Sequence, residues 1–342
     1  MAGVCLAVLG AGIGLAGQAQ AAGTAKPVSL SGVSCVRPTW CMAVGTAFGA
    51  HNAAQNLAEI WNGKAWRLVA TPAGGGLGGV ACSATWYCLA FNDQEAKTSA
   101  LRWNGHKWLK LTAPRGATAA ISCVTRTFCI EPNSYAQSVL TWNGKNWTNT
   151  QLCGGSHSTR CVSSISCAST SLCMAVGSAQ NEIYNLNADA EVWDGKQWTT
   201  IFPPDALDEG DVSSFGVVSC AGQICLALGS NNYVWNTATK TWQDANPPSG
   251  VAGGGLALSC SSATDCMAMS GFDTQNGRWH DGTWTNTDLA PSGANSRFAA
   301  LSCKSGSCLT VGFKFVSGKP RPIAESWNGT AWKLLTPRAP AS

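Results

Sequence analysis

The chain repeats one pattern seven times, and that repetition limits its fold more than any other feature. A short apolar run ends in Ser-Cys or Ala-Cys, four or five residues follow, and a second Cys opens another apolar run. The pairs are Cys35/Cys41, Cys82/Cys88, Cys123/Cys129, Cys167/Cys173, Cys220/Cys225, Cys260/Cys266 and Cys303/Cys308. The spacing averages about 45 residues, the length at which a repeat is one propeller blade or one solenoid coil.

A pair of tryptophans follows each Cys pair: Trp61/Trp66, Trp103/Trp108, Trp142/Trp147, Trp193/Trp198, Trp235/Trp242, Trp279/Trp284 and Trp327/Trp332. In five repeats the residues between them begin Asn-Gly or Asp-Gly, as in WNGKAW, which predicts a two-residue type I′ hairpin. Asn62 and Gly63 as that loop would set Trp61 opposite Lys64 and Trp66 opposite Glu59, with the two indoles diagonal on one face. The Cys pair fits a second hairpin, because directly opposed residues of an antiparallel ladder stand at a separation a disulfide can span.

Each repeat therefore reads as four strands. The second is almost continuously apolar, as in CMAVG at 41–45 and CLALG at 225–229, which suits a strand covered on both faces. No helical period appears in the mature chain. A β-helix is the rival, but its coils are shorter and lack two tight hairpins per repeat. The expected fold is all-β: a seven-bladed β-propeller of four antiparallel strands per blade with one hairpin disulfide each, since closing the ring removes exposed edges. Expected blades span about 29–72, 77–114, 118–152, 162–204, 214–248, 254–291 and 297–337, with an N-terminal segment at 22–28 and a tail at 338–342.

The order of signals resembles the kelch repeat of galactose-oxidase-type propellers: GVSC, a second strand ending at Gly45, then Trp61 and Trp66. Gly177, Gly229 and Gly312 match Gly45. The single glycine, the Trp in place of a third-strand Tyr and the Cys hairpin depart from kelch, and look more like Cys-rich WNG-repeat secreted proteins of high-GC Gram-positive bacteria. That resemblance implies no particular activity. Copper chemistry of the galactose oxidase kind is not implied, because the paired Tyr and His ligands and the Tyr-Cys crosslink have no match here.

Residues 1–21 carry no charge and end in Ala19-Gln20-Ala21, which reads as a signal peptide, although the usual basic start is missing. A single-pass anchor is the alternative. Of 17 cysteines, leader removal takes Cys5 and leaves an even number, with Cys153–Cys161 as the extra expected pair. Paired cysteines require an oxidising compartment. The expected product is secreted, extracellular or wall-associated, monomeric, and without a membrane span once the leader is cut.

Charged residues make up 12% of the chain, the net charge is +4, and no basic cluster exists, so nucleic acid is set aside as a partner. The 16 tryptophans invite a lectin reading, but Trp at a fixed place in every blade is what inter-blade packing needs. Trp40 and Trp86, inside the Cys loops, differ. The acidic run Asp205, Asp208, Glu209 and Asp211 could ligate calcium, yet matches no EF-hand loop; no metal site or cofactor is expected. No nucleophile, zinc or phosphate-loop motif occurs.

Loop geography gives the functional expectation. The Cys loops and Asn-Gly turns share one face and are short and alike, whereas the other connections vary. The expected binding residues lie on that variable face: His51, Asp93, Glu95, Glu131, Tyr135, Glu182, Tyr184, Asp273, Lys314 and Arg321. A non-enzymatic extracellular binding module for a protein or glycan is expected, acting there and at the mouth of the central channel. A polysaccharide-acting hydrolase or lyase, with two carboxylates from Glu95, Glu131, Glu182 and Asp273, is the alternative. A cell-wall structural protein is the third.

Overall fold

The computed structural model describes residues 26, 28–92, 100–114, 116–133, 137–152, 160–180, 186–204, 214–248, 251, 257–270, 276–289 and 296–340. Its strands form seven antiparallel sheets of four, each made of consecutive strands, giving the expected seven-bladed all-β propeller. In blade one these are β1 (Val28–Arg37), β2 (Trp40–Phe48), β3 (Ala54–Trp61) and β4 (Trp66–Leu68). β2 is buried from Cys41 to Val44 and packs blade to blade on both faces, which is why its sequence does not alternate.

Seven hairpin disulfides link the expected neighbours: Cys35–Cys41, Cys82–Cys88, Cys123–Cys129, Cys167–Cys173, Cys220–Cys225, Cys260–Cys266 and Cys303–Cys308. Their Cα atoms stand 3.8 to 4.1 Å apart. The second cysteine of each pair opens the second strand, as its place at the head of the continuous apolar run implies. Cys41, Cys88, Cys129, Cys173, Cys225, Cys266 and Cys308 are all buried, at 0 to 6% exposure. Each opens a second strand and is paired on its far side with the first Trp of its blade, as Cys41 is with Trp61 and Cys88 with Trp103, so it sits in the core. These cysteines hold the hairpins and offer no surface to a ligand. Cys153, and with it the expected Cys153–Cys161 bond, lies outside the described residues, as do the leader at 1–21 and the acidic run at 205–211.

Gly45, Gly229 and Gly312 stand on second strands beside a bulge in the first, and a Cβ there would collide with the carbonyl oxygen of Ser29, Ser214 or Arg297. That is the physical demand behind the repeated glycine.

The turn between the third and fourth strands corrects the hairpin expectation. Trp61 is paired directly with Trp66, and Glu59 with Leu68, so the loop has four residues and not two. The Asn62 side chain explains it: its Oδ1 accepts the amides of Lys64 and Ala65 at 2.9 and 2.8 Å, while the Asn62 amide donates to the Ala65 carbonyl. This Asx turn competes with type I′ geometry, and Gly63 alone takes a positive φ, of 88°. A two-residue loop with both φ values positive does occur in blade six, at Asp281 and Gly282. Directly opposed indoles sit 5.1 to 5.7 Å apart, centroid to centroid, in six blades.

The innermost strands leave one edge unpaired, and the residue before the first Cys deals with it. In six blades the amide of the first Cys points off its own ladder and donates to the serine hydroxyl of the preceding blade. Ser302 receives Cys35, Ser34 receives Cys82, Ser122 receives Cys167, Ser166 receives Cys220, Ser219 receives Cys260 and Ser259 receives Cys303, all at 2.8 to 3.0 Å. The Ser302 bond joins the last blade to the first. Ring closure also buries Val28 and Leu30 against Leu309 and Val311, and places the Arg338 amide 2.9 Å from Glu59 Oε2. At the seam between blades two and three, Ala81 stands where the serine would be.

Candidate functional site

Three regions of the described residues could meet a ligand. The first is the central channel, about 490 Å³, lined by small residues of the inner strands such as Ser31, Gly32 and Ala119. No ionisable side chain among the described residues lines it, so it can offer hydroxyls and backbone but no charge.

On the variable-loop face, four of the ten expected residues lie among the described ones: His51, Glu131, Lys314 and Arg321. Glu131 is the clear correction: it lies in the strand Phe128–Asn133, paired with Leu140, and is fully buried. The loop expected to begin at Glu131 begins later, because the ladder continues through Pro132 to Asn133 opposite Ser138. Neither carboxyl oxygen has a hydrogen-bond partner; the Thr118 amide approaches without bonding geometry, and burial pushes the carboxyl well above its ordinary range. His51 is exposed in a short turn with Asn52, both at positive φ. Lys314 and Arg321 oppose each other on the blade-seven hairpin, where Arg321 Nη1 donates to the Lys26 carbonyl. Asp93, Glu95, Tyr135, Glu182, Tyr184 and Asp273 lie outside the described residues.

That hairpin, Ser307–Val316 and Lys319–Trp327, is long, and Phe315 and Val316 near its tip are 45% and 46% exposed.

The third region has no counterpart in the sequence expectations. On the face of the Cys loops and turns, a groove of about 450 Å³ lies between blades two and three, bordered by Trp86, Tyr87, Arg102, Arg126 and Lys145. Trp86 is 51% exposed. Its backbone and Cβ rest against Gly105 of the neighbouring turn, as Thr39 rests on Gly63 and Thr127 on Gly144, so a stereotyped contact fixes the base of the indole. The Tyr87 hydroxyl accepts the Trp142 indole N–H at 2.9 Å across the seam. Burial pushes the Tyr87 phenol up, and the Trp142 bond and the charges of Arg102 and Arg126, which line the same groove, pull it back. Among the described residues no carboxylate pairs with Arg102, Arg126 or Lys145.

A set of buried carboxyls also recurs around the ring. Glu59, Glu191 and Glu325 occupy one position, two residues before the first Trp of the pair, and all are buried. Burial raises Glu59 and Glu191 to about 7 and Asp189, two residues from Glu191, to about 6; the Thr200 hydroxyl donates to Glu191. The repeated Ala-Glu-x-Trp in blades one, four and seven was the available signal. No group of three metal-ligating side chains forms among the described residues, and none of their helices is long and apolar enough to cross a membrane. The disulfides fit an oxidising environment.

No protein-family model matches the sequence, and no curated protein matches it. Solved structures do. YCF48 from Cyanidioschyzon merolae is 15% identical, with 84% of this chain and 93% of that one covered and a TM-score of 0.56. A catalytically inactive virginiamycin B lyase from Staphylococcus aureus, solved with quinupristin, is 11% identical, covering 84% and 93%, with a TM-score of 0.60. The β-propeller domain of the Trilobed protease from Pyrococcus furiosus, described as having an open velcro topology, is 12% identical, covering 91% and 98%, with a TM-score of 0.55. At such identities these likenesses show one thing, that the chain has the β-propeller fold.

Proposed function

We propose that this protein is a secreted, non-enzymatic binding module for an extracellular protein or glycan, built of kelch-like blades of the Cys-rich WNG-repeat kind. The contrast between the two faces of the ring carries the reading: one repeats short disulfide loops and turns, and the other sends out the blade-seven hairpin with Phe315 and Val316 half exposed near Lys314, Lys319 and Arg321. A rigid scaffold with one irregular face is where binding is usually carried. His51, Lys314 and Arg321 belong to this capture surface, with Asp93, Glu95, Tyr135, Glu182, Tyr184 and Asp273 on its remaining loops; buried Glu131 does not. YCF48, a propeller of similar fold, has been solved bound to D1 peptide, which supports the reading by analogy alone.

The test is retention on extracellular fractions. Replacing Phe315–Lys319 by a short Gly-Ser turn should abolish retention and leave the melting temperature almost unchanged; retention that survives contradicts the proposal. A polysaccharide-acting enzyme is the second reading, favoured by one observation: Asp189 and Glu191, on the same face of one strand, are carboxyls raised toward neutrality. Turnover of a polysaccharide that vanishes in Glu191→Gln would establish it.

A further inference from the structure

We propose that the groove between blades two and three is a separate binding site, on the face opposite the variable loops, for an acidic saccharide: a pyranose ring stacked on Trp86 with its carboxylate held by Arg102 and Arg126. Two positions of the Cys loop depart from the repeat here. The residue two before the second Cys is Thr39, Thr127, Ser171 or Thr264 in blades one, three, four and six, and Trp86 in blade two. The residue three before that Cys is Pro38, Thr85, Thr170, Gly222, Ala263 or Ser305 in the other blades, and Arg126 in blade three. Both departures face the same groove.

The equivalent groove between blades seven and one holds about 150 Å³ and is bordered by Pro38, Ser307 and Ser326 where the larger one has Arg126, Tyr87 and Arg102. An arginine also occupies the Arg102 position in blade six, but there Arg278 is neutralised by Asp265 at 2.6 Å. Asp265 stands in the place of Tyr87. In blade two the same position carries a phenol, and no carboxylate among the described residues occupies the Arg102 guanidinium.

The chemistry selects the ligand class. A half-exposed indole is a stacking plate for a sugar ring. Arginine forks bind carboxylate or sulfate bidentately, and Lys145 adds a third cation at the rim. The Tyr87 hydroxyl, whose oxygen already accepts from Trp142, still has its proton to give to a sugar oxygen. A volume of about 450 Å³ suits a small ligand. An acidic peptide brings carboxylates on flexible stems without a saturated ring for the indole, and fits less well.

The experiment is a calorimetric titration of the full protein with a galacturonate tetrasaccharide, its methyl-esterified neutral form and a tetraglutamate peptide. Wild type should bind the acidic sugar, more weakly in higher salt, and at least about tenfold more tightly than the neutral one. Trp86→Thr and Arg126→Thr, each installing a residue the repeat already uses, should each weaken binding about tenfold with the melting temperature unchanged. No binding of the acidic sugar, equal binding of the neutral form, or binding indifferent to both substitutions overturns the proposal. Tighter binding of tetraglutamate that depends on Trp86 would instead make the groove a peptide site. The Phe315–Lys319 replacement should leave sugar affinity unaltered, which separates failure of this site from failure of the capture surface.

Discussion

Two seams of the ring, between blades two and three and between blades seven and one, are built from the same repeat and do different things. The seven-one seam has the serine tie from Ser302 to Cys35, a small neutral groove, and the Arg338 amide on Glu59. The two-three seam lacks the tie, since Ala81 has no hydroxyl, and is bridged by Trp142 on Tyr87 and by Phe91 edge-on to Trp147 at 5.7 Å. One seam uses its side chains for closure. The other replaces a backbone tie with aromatic packing and opens a cationic groove above it. In a repetitive scaffold, specialisation shows as local departure from the repeat.

The largest effect should come from the aromatic bridge. Trp147→Ala removes the ring that packs on Trp142 and Phe91, and should destabilise by about 3 to 5 kcal/mol. Chemical denaturation checks it; a loss under about 1 kcal/mol would mean that the two-three seam does not depend on aromatic packing.

The closure seam should respond to pH. Glu59 titrates near 7 in the folded chain, against an ordinary value of 4.5, because burial disfavours its charge more than the Arg338 amide and guanidinium restore it. The native state therefore holds a proton that the unfolded state releases between about pH 4.5 and 7, so stability present at low pH is lost as pH rises through that window. Glu131, Asp189 and Glu191 are shifted the same way. Glu59→Gln keeps an acceptor for the amide and removes the titration. It should flatten the pH dependence and stabilise the protein at pH 8 by on the order of 2 kcal/mol; denaturation at pH 5 and 8 is the check, and an unaltered slope would contradict it.

The smallest effect concerns the serine ties. Ser302→Ala leaves the Cys35 amide without its partner and should cost about 1 kcal/mol, while Ala81→Ser supplies the missing acceptor for Cys123 and should return a similar amount. Paired denaturation curves decide it. Equal, negligible changes in both would mean that channel water serves these amides as well as serine does.

The blades were legible because Cys and Trp recur at fixed register, and each repeated residue answers a local demand: Cys for an opposed pair, Gly45 for a bulge, Asn62 for a turn. The pairing of the cysteines was local and so could be read, and the unbroken apolar run behind each second Cys announced its burial. The turn's length was not legible, because Asn-Gly satisfies two geometries and the Asn62 side chain decides between them. Glu131 reads as a loop residue because a Pro beside it suggests that the strand has ended, whereas the ladder runs on to Asn133. The Ser-Cys dipeptide was visible, yet its partner lies one blade away and no local period announces that. Trp86 stands apart in the sequence as a Trp inside a Cys loop, but the groove is hidden because the turn face reads as uniform, and Arg102 and Arg126 are conspicuous only when each is set against its six counterparts.

The two-three seam is the specialised one. Differential hydrogen exchange with and without the galacturonate tetrasaccharide tests it most directly. Protection confined to peptides covering Trp86–Tyr87, Arg102–Asn104 and Arg126–Thr127 is predicted; protection at the seven-one groove, on the blade-seven hairpin, or nowhere would contradict it.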